Sequence, residues 1–164
     1  MLRKSLTIAA IAASLGSCGG SARHDAAETA ARLLSAVVHG DRTAFEAAID
    51  RGAVRDDVRR QVAQLAQASG LEVDGGPSEF ALDRMIAPEA INVVDARSGQ
   101  AVDKAPTPTQ VAPQIQMNGD GRACLRDAPH GKTCALTFAR SDEGWRLVGM
   151  KAMGLTIEVA EAGD

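Results

Sequence analysis

Three cysteines, three histidines and scattered carboxylates are the side chains here with chemistry to offer. Acid–base catalysis needs a titratable group within hydrogen-bond reach of the substrate, most often a histidine. The histidines are His24, His39 and His130, far apart in the chain. His39 precedes Gly40 and Asp41 at the expected end of a helix. A histidine there caps or complements the helix dipole with no catalytic duty. Asp83, Glu89 and Asp95 fall on expected connecting helices, where solvated carboxylates are the ordinary state. The sequence holds no Gly-x-Ser-x-Gly, no phosphate-cradling glycine loop and no histidine cluster for a metal. Gly119 and Gly121 stand in an expected turn between strands, which is not a nucleotide fingerprint. These residues give no reason to assign a catalytic group, a cofactor or a metal site.

Cys18 says more. The chain opens Met1-Leu2-Arg3-Lys4, runs apolar from Leu6 to Leu15, and continues into small residues. That is the order of a secretory signal peptide. A helix needs about 20 apolar residues to span a bilayer, so this run is too short for an anchor of its own. Leu15-Gly16-Ser17-Cys18 resembles the lipobox of bacterial lipoproteins. The resemblance implies cleavage before Cys18, lipidation of its sulfur, and a membrane attachment through several acyl chains. In Gram-negative lipoproteins the next residue biases sorting, and Gly19 points to the outer membrane. The expected organisation is a signal peptide over 1–17, a lipidated tether over 18–25, and one domain over 26–164.

With Cys18 lipidated, an even pair remains. Cys124 and Cys134 flank a stretch with Pro129, His130 and Gly131 at its centre and strand-like residues on both sides. A hairpin would bring them together, and an oxidising periplasm would let them bond. A redox pair would favour Cys-x-x-Cys, and a metal would want more ligands. Removing 1–17 leaves 147 residues, the size of one domain. Losing Arg3 and Lys4 moves the net charge from −3 to −5, which disfavours a nucleic-acid partner. Phe45, Phe80, Phe138 and Trp145 are the aromatics. That is too few for the aromatic platforms of sugar or base-stacking sites.

The elements that would position these groups split into two halves. Ala27, Ala30, Ala31, Leu34, Val37 and Val38 recur at helical spacing, and Gly40 ends that helix. Asp41 N-caps a second helix with Phe45, Ala48 and Ile49 inward, broken at Gly52. Val54, Val58, Val62, Leu65 and Ala66 mark a third, with Arg55, Asp56, Arg59 and Arg60 on a solvated face. Pro77-Ser78 starts a fourth through Ile86, and Pro88 restarts the chain as a short helix through Val94. Residues 98–113 read as an irregular link. Strands follow at 114–117, 123–126, 133–140 and 145–150, with 155–159 a further strand or a continuation. Leu136, Phe138 and Leu147 are the expected inner face of that sheet. Helices first and an antiparallel meander after make an α+β fold.

Helices followed by a meander ending in Gly144-Trp145-Arg146-Leu147-Val148 resemble the cystatin-like superfold, which includes nuclear-transport-factor-like domains. Residues Ala47 to Val94 also resemble a bacterial envelope family with short helices before such a sheet. The resemblance implies a cone-shaped α+β domain. Members of the superfold include isomerases and dehydratases as well as non-enzymatic modules, so fold alone carries little function. Enzymes of this shape place a His or Asp inside the cone, and the expected inner face has neither. The expectation is a periplasmic, lipid-anchored, non-enzymatic protein that binds a small apolar ligand or an envelope protein. A small isomerase or hydrolase is the alternative, and a structural role in an envelope assembly the third reading.

Overall fold

A computed structural model describes residues 18–70 and 76–160 of the chain. The expected signal segment, 1–17, lies outside the described residues. Helix α1 spans Cys18–His39. Its alanine-rich stretch favours helix intrinsically, and Ala26, Ala27, Ala30, Ala31, Leu33, Leu34 and Ala36 are all buried. Helices α2 (Arg42–Ala48) and α3 (Arg51–Ala68) follow. Asp41 and Asp50 N-cap them by accepting from Ala44 N and Ala53 N, each at 3.0 Å. The break therefore falls at Ile49-Asp50 rather than at Gly52, which sits in the first turn of α3. Asp50 N donates to Leu147 O at 2.8 Å, so this corner covers the sheet's edge. Ser78 caps α4 (Glu79–Met85).

Two sheets complete the fold. Strands β2 (Ile115–Met117), β3 (Ala123–Arg126), β4 (Cys134–Ser141) and β5 (Gly144–Met150) form the antiparallel meander in chain order. Leu125, Leu136, Phe138 and Leu147 are fully buried, so the expected inner face is the core face. Helices α1 and α3 pack against β5, and α1 reaches β2 as well. The architecture is α+β, as the element order implies.

Several elements differ in detail from the expectation. Residues 18–25, the expected tether, form the first turns of α1. Arg23 fixes them to the domain, with its Nε and Nη2 donating to Ala112 O at 3.2 and 2.9 Å. Pro88 opens only a 3-10 turn, Pro88–Ala90, and Ile91–Asp95 is strand β1. Its β-branched residues suit a pleated, half-buried surface. Leu155–Val159 is strand β6, and it leaves the meander to pair with β1 in parallel, Ile91 opposite Leu155. The link also carries regular structure: Pro108–Val111 forms the short helix α5 behind a Thr107–Gln110 capping box. A 3-10 turn at Ala112–Gln114 follows directly.

The β3–β4 hairpin joins the two sheets. Asp127 N donates to Thr133 O at 3.0 Å, and Asp127 O accepts from Glu158 N of β6 at 2.7 Å. Gln114, fully buried, donates from Nε2 to Glu158 O at 2.8 Å. A Cβ on Gly131 would stand 2.1 Å from Asp127 Oδ1, so only glycine fits there. Cys124 and Cys134 are paired across this hairpin, Cα–Cα 5.6 Å, as their placement on either side of the turn implies. Closing so short a loop stabilises by about 2–3 kcal/mol in the chain-entropy account. A Cys124→Ser/Cys134→Ser variant should therefore fold but melt lower. An unchanged midpoint in thermal unfolding would contradict this.

Candidate functional site

The strongest grouping of charged chemistry joins α2, α3 and α4. Arg51 donates to both Glu46 oxygens, to Asp83 Oδ1 at 3.1 Å and to Ile86 O at 3.2 Å. Arg55 donates to the same Asp83 oxygen. Arg59 reaches Glu79 Oε1 at 2.7 Å and Asp56 Oδ1 at 3.1 Å. The arginines are spaced four apart on α3, so they share one face and meet α4 as a row. Beyond α4, an open cleft is lined by Arg42, Phe80, Asp83, Arg84 and Glu89. Arg42 Nη2 donates to Glu89 Oε1 at 2.8 Å. Phe80 is 71% exposed, and the Arg84 guanidinium lies 5.9 Å from its ring centre. The sequence reads as a short helix through Phe80, Leu82 and Ile86. The inward residues are Leu82 and Ile86.

The charges of this cleft are set for pairing. The Arg55 hydrogen bond holds Asp83 below its ordinary range, helped by the Arg51 charge. The Arg51 hydrogen bond lowers Glu46. Glu89 is lowered first by its own backbone N–H and then by Arg42. Carboxylates shifted this way stay ionised acceptors at neutral pH, which suits an ion-pair row and not a proton donor. The sign for stability follows from the downward shifts. Their contribution is complete above about pH 5 and is lost as pH falls through the lowered folded-state values. Protection of α4 amides, relative to their intrinsic exchange rates, should fall below about pH 4, and Asp83→Asn should flatten that dependence. An identical acid profile in the Asp83→Asn variant would contradict the assignment.

The remaining residues do not join this cleft. His39 lies at the end of α1, its Nδ1 2.8 Å from Ser35 O. Asp95 lies at the end of β1, not on a helix, and its Oδ1 accepts from Arg97 N, Ser98 N and the Ser98 hydroxyl. Those bonds, the Ser98 amide first, lower its pKa. His24 meets Glu28 on α1 at 3.3 Å. His130 lines a shallow groove with Arg97, Pro129 and Glu158 beside the hairpin. Asp83 and Glu89 thus share one cleft, while His39 and Asp95 stand elsewhere. Among the described residues, no three His, Cys, Asp or Glu side chains are grouped to hold a metal ion.

The clamp between α3 and β5 is a feature that sequence reasoning missed. Gln61 Nε2 donates to Asp57 Oδ2 at 2.7 Å and to Met150 O at 2.9 Å, and its Oε1 accepts from Ala152 N. A Cβ on Gly149 would stand 2.8 Å from Asp57 Oδ2, so the helix approaches where β5 has no side chain. This clamp positions α3 and, through it, the arginine row.

The fold and site define a small α+β domain with a helical face stapled by ion pairs. No family model matches the chain, and no curated protein or solved structure matches it. No helix among the described residues is long and apolar enough to cross a membrane. The disulfide fits an oxidising compartment outside the cytoplasm.

Proposed function

We propose that this protein is a lipid-anchored component of a bacterial cell envelope, a non-enzymatic binding or assembly module held at Cys18. One observation carries the reading: basic Arg3-Lys4, a short apolar run, and Leu15-Gly16-Ser17-Cys18 at its end. The Cys124–Cys134 pair supports export, because it accounts for the two cysteines that lipidation leaves. Gly19 directs the anchor to the outer membrane, facing the periplasm. The enzyme alternative loses support from geometry. Each acid offered for it is committed to an arginine or a turn, and His39 to its own helix.

Between a small apolar ligand and a protein partner, packing favours the partner. The space between helices and sheet is filled by Leu33, Leu34, Phe45, Phe138 and Leu147, all fully buried. A filled interior directs recognition to the surface. The test is metabolic labelling with an alkyne fatty acid. The wild type should take up label and Cys18→Ser should not. Equal labelling of both would sink the proposal.

A further inference from the structure

We infer that the domain is seated directly on the bilayer, with the amino end of α1 and the Ala112–Gln114 turn facing an anionic lipid surface. This rests on the proposed lipidation of Cys18 and adds an orientation to it. A flexible stem would leave a lipid-anchored domain free to tumble above the membrane. Here α1 begins at Cys18 and its side chains are buried in the core from Ala26 onward. Eight residues of helix advance about 12 Å. The anchored residue therefore stands within about 12 Å of the packed part of α1.

The contacts of Arg23 say which surface that is. Helical side chains lean toward the helix N-terminus. Arg23 reaches Ala112 O, so the Ala112–Gln114 turn stands level with the first turns of α1. Arg126 closes on the same turn, with Nη2 donating to Pro113 O at 2.9 Å and Nε to Gln114 O at 3.4 Å. Both guanidinium groups are bonded to neutral carbonyls, so each keeps its charge for an outside anion. Arg42, Arg51, Arg55 and Arg59 are instead bonded to carboxylates. Arg42 directly follows the far end of α1, about 33 Å from Cys18 along the helix. Asp25 and Glu28 lie deeper along α1 than Arg23, and Glu28 is met by His24. Two guanidinium groups that can answer lipid phosphate thus stand at the anchored end. The Phe80 cleft, beside Arg42, faces away from the bilayer.

The experiment uses the lipidated protein in nanodiscs of phosphatidylethanolamine and phosphatidylglycerol with a paramagnetic headgroup. Amide resonances of Ala112, Gln114 and Gln116 should be broadened away, with Phe80 and Arg84 unaffected. Inserting eight Gly-Ser residues between Gly20 and Ser21 should abolish that selectivity while the lipid stays attached. Uniform broadening, or none, in the unmodified chain would overturn the seating and leave the lipid anchor intact. Intact mass of the same sample separates the two failures, since a sample without acyl chains at Cys18 would overturn both.

Discussion

Phe138→Ala should destabilise the domain by about 3–5 kcal/mol, the usual cost of emptying a phenylalanine site in a packed core. Phe138 is fully buried on β4, opposite Ala123 of β3 and Leu147 of β5. It stands where the sheet meets the helical layer, and the disulfide on the same hairpin restrains the backbone from collapsing into a cavity. Domains of this size are stable by about 5–15 kcal/mol, so the loss takes a large share. Urea unfolding should show a lower midpoint with an unchanged slope. Phe80→Ala is the matched control. Phe80 is 71% exposed, so its loss should stay within about 0.5 kcal/mol. Equal effects from the two substitutions would contradict the assignment of core and surface.

Cys18→Ser should release the protein from the membrane fraction or leave it as uncleaved precursor. Each buried CH₂ of an acyl chain contributes about 0.8 kcal/mol, and two chains make attachment stable over cell lifetimes. No helix among the described residues is long and apolar enough to cross a membrane. On the proposed seating, Arg23 and Arg126 would add surface electrostatics worth about 1 kcal/mol each near an anionic leaflet. That would orient the domain and not retain it. The variant should appear as uncleaved precursor or as soluble protein, with its melting temperature unchanged in the soluble form. Wild-type partitioning of a processed Cys18→Ser chain would mean that another anchor holds it.

Much of the fold was legible because it is local. The spacing of Ala27, Ala30, Ala31 and Leu34 reports a helix face, and the alternation at Leu136, Phe138 and Leu147 reports a strand face. The losses are non-local. Gly19, Gly20 and the polar residues to Asp25 read as a tether, yet a contact 89 residues away holds Arg23. Ile91–Asp95 is a strand because β6 pairs with it, Ile91 opposite Leu155. The run Arg55, Asp56, Arg59 and Arg60 was half legible. The pairs Asp56–Arg59 and Asp57–Arg60 lie three apart within α3. The bonds of Arg55 and Arg59 to Asp83 and Glu79 depend on how α4 packs, which no local pattern reports.

The proposed anchor at Cys18 is tested most directly by the intact mass of protein extracted from membranes in detergent. The mass should correspond to a chain beginning at Cys18 and carrying acyl groups on that residue, with the Cys124–Cys134 bond in place. A chain retaining residues 1–17 in the mature protein, or one with an unmodified Cys18, would contradict it.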